Sequence, residues 1–186
     1  QTPPESHLDW LHQYLAILSL AANALSGLIG PPLTTRRFLT TFDHRANTLG
    51  VPNLIAGFLG LMGFSEDSRE SMDAWINGFE VDFNHLLETA IPPVHLKACR
   101  QRYYLDGIRA LSQEDPPDPA IWPLLLTWLD LHLALSKSSP AQETWEDCLS
   151  SLNLTKDQTG QKTKALDAYL DTLEINIESW AESYGI

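Results

Sequence analysis

The chain has 186 residues, 44% of them apolar, with six Trp, five Tyr and six Phe; that is enough apolar material for one domain to bury a full core without a metal or disulfide staple. Twelve Lys and Arg against 24 Asp and Glu give a formal charge of −12, a field that repels phosphate backbones and anionic lipid and argues against nucleic acid as a partner. Cys99 and Cys148 match no zinc spacing and build no disulfide framework, which points to free thiols in a reducing, cytoplasmic setting.

Between its Pro and Gly punctuation the apolar residues recur at three and four, so the expected fold is all-α, a single-domain bundle of seven to eight helices over residues 1–186. The first helix spans about residues 6–29 and closes at Gly30, Pro31 and Pro32. Residues 10–35 carry no formal charge, long enough to raise a membrane span. Gln13, Ser19, Asn23 and Ser26 dilute the run, and neither a basic leader nor a cleavage site flanks it, which favours a buried helix of a soluble protein.

A second helix starts at a Thr34/Thr35 cap, places Phe38, Leu39, Phe42, Ala46 and Leu49 on one face and stops at Gly50. The third, from Asn53 to Met62, is apolar on every side, which predicts burial or an interface. Ser65 followed by Glu66 and Asp67 opens a fourth, since a hydroxyl cap and early carboxylates suit the exposed amides there. Its face of Met72, Trp75, Ile76, Phe79, Phe83, Leu86 and Leu87 runs to Pro92, with Gly78 as an expected kink.

The fifth helix, after Pro93, concentrates Lys97, Arg100, Arg102 and Arg109, four of the twelve basic residues. Residues 114–119, acidic and holding three prolines, are the expected place for a break between subdomains. The sixth helix, from about Leu124 to Leu135, has no wide polar side and should be central, like the first. Ser139, Pro140 and Gln142 give a capped start to a seventh, and residues 153–160 read as a polar loop.

The last helix, about residues 162–184, carries Leu166, Leu170, Leu173, Ile177, Trp180 and Tyr184 at spacings of 4, 3, 4, 3 and 4, a narrow coiled-coil-like seam. Beside it Asp167, Asp171, Glu174, Glu178 and Glu182 form an acidic stripe. Residues 1–113 hold eight basic and eleven acidic side chains, residues 114–186 four and thirteen, so the negative charge gathers toward the C-terminal third. Glu178 and Glu182 near the carboxyl end of this helix, and Lys162 and Lys164 near its start, oppose the helix dipole. Each costs about a few tenths of a kcal/mol when exposed, and a compensating surface is implied.

Motifs for catalysis are absent: no phosphate loop, nucleophile elbow, His-Glu-x-x-His or paired Glu-x-x-His occurs. The weak metal candidate is Asp82, His85 and Glu88, spaced at three and three on the fourth helix; no second helix carries a matching ligand pair, and the plainer reading is a solvated flank of the Phe79/Phe83/Leu86 face. Asp130, a carboxylate on an apolar helix, should pair with an arginine of the fifth helix, because burial unpaired would be costly. His132, two residues on, points nearly the opposite way. Lys97, Arg100, Arg102, Tyr103, Tyr104 and Arg109 would suit phosphate or a nucleic acid strand in a basic protein; in this acidic chain they better match the acidic last helix, within the chain or between subunits.

The sequence thus predicts a non-catalytic interaction module, an assembly factor, adaptor or regulator, that offers Asp167, Asp171, Glu174, Glu178 and Glu182 to a basic protein partner or to itself, with no cofactor. The competing reading is a helical-bundle enzyme or carrier with an interior metal or apolar-ligand site among its aromatics.

Overall fold

The computed structural model describes residues 6–114, 118–135 and 139–185. Among these the chain is all-α, with nine α-helices, four short 3-10 turns and no strand. The helices are α1 (His7–Ser26), α2 (Phe38–Thr48), α3 (Asn53–Met62), α4 (Glu66–Glu70), α5 (Met72–Thr89), α6 (Ala98–Ser112), α7 (Ile121–Ala134), α8 (Gln142–Ser151) and α9 (Thr159–Ser183). Eight of them span ten residues or more, as expected for a bundle of seven to eight; the ninth, α4, is five residues long, and Ser71 divides it from α5 within the segment read as one helix after Ser65. The side chains of Glu66 and Asp67, and residues 115–117 of the expected break, lie outside the described residues.

Two compact units build the chain, one from residues 1–63 with 156–186, the other from residues 64–155. Residues 114–119 therefore fall within the second unit. The first contains α1, α2, α3 and α9; the second contains α4 to α8.

In the first unit, Ser6 caps α1 by accepting from the Asp9 amide at 3.1 Å, and the helix ends one turn earlier than expected, at Ser26. The reason is a side-chain clamp: Arg45 Nη1 of α2 donates to the Ser26 carbonyl at 3.2 Å and to the Pro31 carbonyl at 2.6 Å, satisfying acceptors that a longer helix would have used. Leu11, Tyr14, Leu15, Leu18, Ala22 and Leu25 form its buried face, while Leu20 is 70% exposed. So α1 is amphipathic rather than buried all round. α3 is one-sided as well. Leu54, Phe58, Leu61 and Met62 are buried, and the small residues Ala56 and Gly60 face outward. Phe38, Phe42 and Phe58 pack in tilted and edge-to-face pairs between α2 and α3, and Gly63 stops α3 with a left-handed φ of 73°, a conformation open to glycine at no steric cost.

The second unit is centred on α7, whose Ile121, Trp122, Leu124, Leu125, Trp128, Leu129 and Leu131 are buried. Pro123 is accommodated because it sits in the first turn, where no intrahelical amide bond is needed. Trp75, Phe79 and Phe83 of α5 and Trp145 of α8 complete this core. Gly78, expected as a kink, lies inside a continuous α5 and is buried. A Cβ there would stand 2.9 Å from Thr144 Cγ2 and 3.0 Å from the Trp128 ring, so the glycine permits close approach of α7 and α8.

Candidate functional site

Two arrangements in the structure bear on function, one on the surface of α9 and one inside the second unit.

α9 packs against α1 and α3 through its N-terminal half. The buried residues are Lys162, Leu166, Tyr169 and Leu173, again at spacings of 4, 3 and 4. The predicted seam is thus rotated by part of a turn: Tyr169 takes the buried place, and Leu170 is only half-buried. Tyr169 donates its hydroxyl to the Leu54 carbonyl at 3.2 Å and lays its ring 3.1 Å from where a Gly57 Cβ would stand. Trp10 of α1 reaches Thr163 Oγ1 at 3.4 Å.

Lys162 explains one of the misplaced charges. Its ammonium is buried and donates to the carbonyls of Leu61 at 2.8 Å and Gly60 at 3.3 Å, the last turn of α3. A cation unfavourable at the start of its own helix is favourable at the carboxyl end of another. Tyr14 donates to the same Leu61 carbonyl at 3.0 Å. Burial lowers the Lys162 pKa and raises those of Tyr14 and Tyr169.

Past Leu173 the helix face opens. Ile177 and Trp180 are half-buried, Ile175 is 65% and Tyr184 68% exposed, and the Trp180 and Tyr184 rings meet at a tilt with centroids 4.7 Å apart. Asp167, Asp171, Glu174, Glu178 and Glu182 are all exposed, and among the described residues none of the five enters an ion pair. α9 therefore presents an acidic stripe along one exposed side, with Ile175 next to it, while Trp180 and Tyr184 lie toward the other side of the helix.

The second arrangement centres on Asp82, fully buried on α5. Oδ1 accepts from Ser139 Oγ at 2.6 Å and from the Ala141 amide at 3.1 Å. Oδ2 accepts from Trp128 Nε1 at 2.8 Å. Ser139 donates to this carboxylate while its Oγ accepts from the Ala141 amide at 3.1 Å, just before α8, and Asp82 supplies negative charge to the start of α8 from another helix. His132 Nε2 stands 3.3 Å from Oδ2, at ion-pair distance but outside hydrogen-bond geometry, with its ring stacked on Trp145 at 4.5 Å. Burial alone would raise the Asp82 pKa; the three hydrogen bonds and the imidazole outweigh it and hold the carboxyl below its ordinary range.

These placements correct two expectations. Asp82 is interior rather than a solvated flank, and it does not gather with its predicted neighbours: His85 is half-buried and Glu88 exposed. Among the described residues no group of three His, Cys, Asp or Glu is placed to hold a metal ion. Asp130 is only half-buried, and its carboxylate lies 3.4 Å from His95 Nε2. Sequence reasoning missed the Asp82 network, although a signal was present. Asp82 falls three residues after Phe79 and four before Leu86, inside the apolar face.

On α6, Arg102 pairs with Asp106 at 3.2 Å and Arg109 with Glu80 at 2.6 Å. Lys97 and Arg100 are exposed and have no ion pair among the described residues. Cys99 is exposed and Cys148 buried. No helix among the described residues is long and apolar enough to cross a membrane. Comparison of the chain with protein-family models, curated proteins and solved structures finds no match.

Proposed function

We propose that this chain is a non-catalytic protein-interaction module that uses the C-terminal half of α9 to hold a basic, amphipathic helical surface. The observation carrying this reading is the line of five exposed carboxylates without described ion pairs along one side of α9, with the exposed Ile175 next to them. A face of that kind matches helix-in-groove and helix-on-helix recognition, where apolar contacts give affinity and charges give register and on-rate. The interior offers less to a ligand, because both oxygens of Asp82 already accept hydrogen bonds from the protein.

The test uses a synthetic helical peptide with Leu on one face and Lys on the other. The full chain should bind it with an affinity that falls as salt is added. Asp171→Lys with Glu178→Lys should weaken binding about tenfold or more, whereas Asp43→Lys, a reversal on exposed α2 surface, should not. Equal binding by the two variants would overturn the proposal.

A further inference from the structure

Away from its carboxylates, the packing face of α9 runs on past the point where burial ends. Lys162, Leu166, Tyr169 and Leu173 are buried where α9 meets α1 and α3. At about 100° per residue, Ile177, Trp180 and Tyr184 continue that face to within about 25° of its line. Cover falls away along them: Ile177 and Trp180 are half-buried, and Tyr184 is exposed. The Trp180 and Tyr184 rings touch each other, so the face ends in an aromatic ridge. Asn176 and Ser183 flank the ridge on one side and Ala181 on the other, all uncharged. From residue 176 to residue 184 the charged residues are Glu178 and Glu182, and helix geometry sets them about 130° and about 170° round from the ridge.

A basic partner has nothing to pair with on this ridge, since the carboxylates lie round the other side of the helix; its occupant must be apolar and uncharged. The chain carries a surface of that kind at the ridge itself. We infer that the Ile177, Trp180 and Tyr184 ridge packs against the same ridge of a second copy, the two ends of α9 lying antiparallel and crossing near Trp180. Two chains of net charge −12 repel each other, and this contact brings them together with no carboxylate in the junction. Aromatic side chains with an apolar body and a polar tip suit such a half-wet interface. Because one patch meets its own copy, the contact is isologous and stops at two chains. The acidic stripes of both copies are left facing outward. A contact between two helix ends is small, so the dimer is weak, with a dissociation constant on the order of 100 μM.

The experiment is sedimentation velocity on the full chain from about 1 μM to about 1 mM, a range that brackets the expected constant, at low and high salt. The wild-type chain should pass from the 20.8 kDa monomer to a species of twice that mass and no further. High salt should keep or tighten the dimer, because it screens the repulsion between the two chains. Tyr184→Asp sets a carboxylate at the junction and should weaken dimerisation tenfold or more. Glu178→Gln with Glu182→Gln, on the far side of the helix, should leave it unchanged or tighter. All three positions are exposed, and urea midpoints check that the variants remain folded. A wild-type chain monomeric throughout, species that grow beyond two chains, a dimer dispersed by salt, Tyr184→Asp dimerising like the wild type, or loss of the dimer in the double glutamine variant would each overturn the inference. A chain that stays monomeric yet binds the Leu/Lys peptide through its stripe loses the second copy and keeps the reading of the stripe; one that dimerises but ignores the peptide does the reverse.

Discussion

Lys162 and Leu61 join the two sequence-distant parts of the first unit: the ammonium donates to the carbonyl at 2.8 Å. The lysine sits in the first turns of α9 and the carbonyl in the last turn of α3. One side chain thus fixes the height at which α9 enters the packing and satisfies acceptors left over by a helix end.

Truncating this lysine should be costly in a way that its neighbour is not. Lys162→Ala removes two charge-assisted hydrogen bonds and a cation from the α3 terminus, leaving the Gly60 carbonyl to the Gly63 amide and the Leu61 carbonyl to Tyr14, an expected loss of about 1–3 kcal/mol. Lys164, exposed on the same turn, should change stability by less than about 0.5 kcal/mol on substitution by Ala. Urea unfolding of the two variants separates the cases.

The buried phenols set the alkaline limit. Tyr14 and Tyr169 donate to the Leu61 and Leu54 carbonyls, and burial raises both pKa values. A group with a raised folded pKa contributes stability that is complete below its unfolded value, about 10 for tyrosine, and lost as pH rises toward the folded value. Lys162, lowered by burial, works the other way: the folded state gains as that lysine deprotonates. With two phenols against one ammonium, unfolding free energy should fall above about pH 10. Tyr14→Phe with Tyr169→Phe should flatten the fall while lowering the plateau by about 1 kcal/mol per lost hydrogen bond. Urea midpoints and phenolate absorbance, followed across that range, check both.

Asp82 sets the acid limit with the opposite sign. Its pKa is depressed in the fold, so its contribution is present above the unfolded carboxyl value, about 4, and is lost as pH falls through the folded one. Asp82→Ala strands Trp128 Nε1 and the Ser139 hydroxyl proton, leaves the Ala141 amide only Ser139 Oγ as acceptor, and should cost about 3–5 kcal/mol at neutral pH. Asp82→Asn keeps an acceptor, should cost less, and should remove this part of the acid dependence. Tryptophan fluorescence during urea unfolding reads it, because Trp128 and Trp145 lie at the network.

Two glycines on helices should respond in opposite directions to the same change. Gly78→Ala drives a methyl group to 2.9 Å from Thr144 Cγ2 and 3.0 Å from Trp128, an overpacking expected to cost about 1–3 kcal/mol despite the better helix propensity of alanine. At Gly60 nothing lies within 4 Å of the new Cβ, and Gly60→Ala should stabilise by up to about 1 kcal/mol. Thermal unfolding of both variants checks the pair.

What was legible in the residues followed from local rules. The three-and-four recurrence of apolar residues located the helices, and Gly50 and the bounds Asn53 to Met62 marked ends that the structure keeps. The ends misjudged were those governed from a distance. Residues 27–29 form turns in which Arg45 shares the Ser26 carbonyl, and Ser139 divides its hydroxyl between the Asp82 carboxylate and the Ala141 amide rather than reaching an amide inside α8. The partners of Asp82 lie 46 to 59 residues away along the chain, beyond any periodicity argument. Exposure of the acidic stripe on α9 was readable from its spacing. The opening of the seam beyond Leu173 was not, since it depends on where α1 and α3 end against it.

The discontinuity of the first unit has a consequence for synthesis. Residues 64–155 form an uninterrupted segment and hold every element of their own core once translated. The surface of α1 and α3 that receives Leu166, Tyr169 and Leu173 must wait until α9 has emerged, long after its own residues were made. Through that interval the α1 and α3 surface lacks its closing helix, so the contiguous unit has all its core residues before the discontinuous one does.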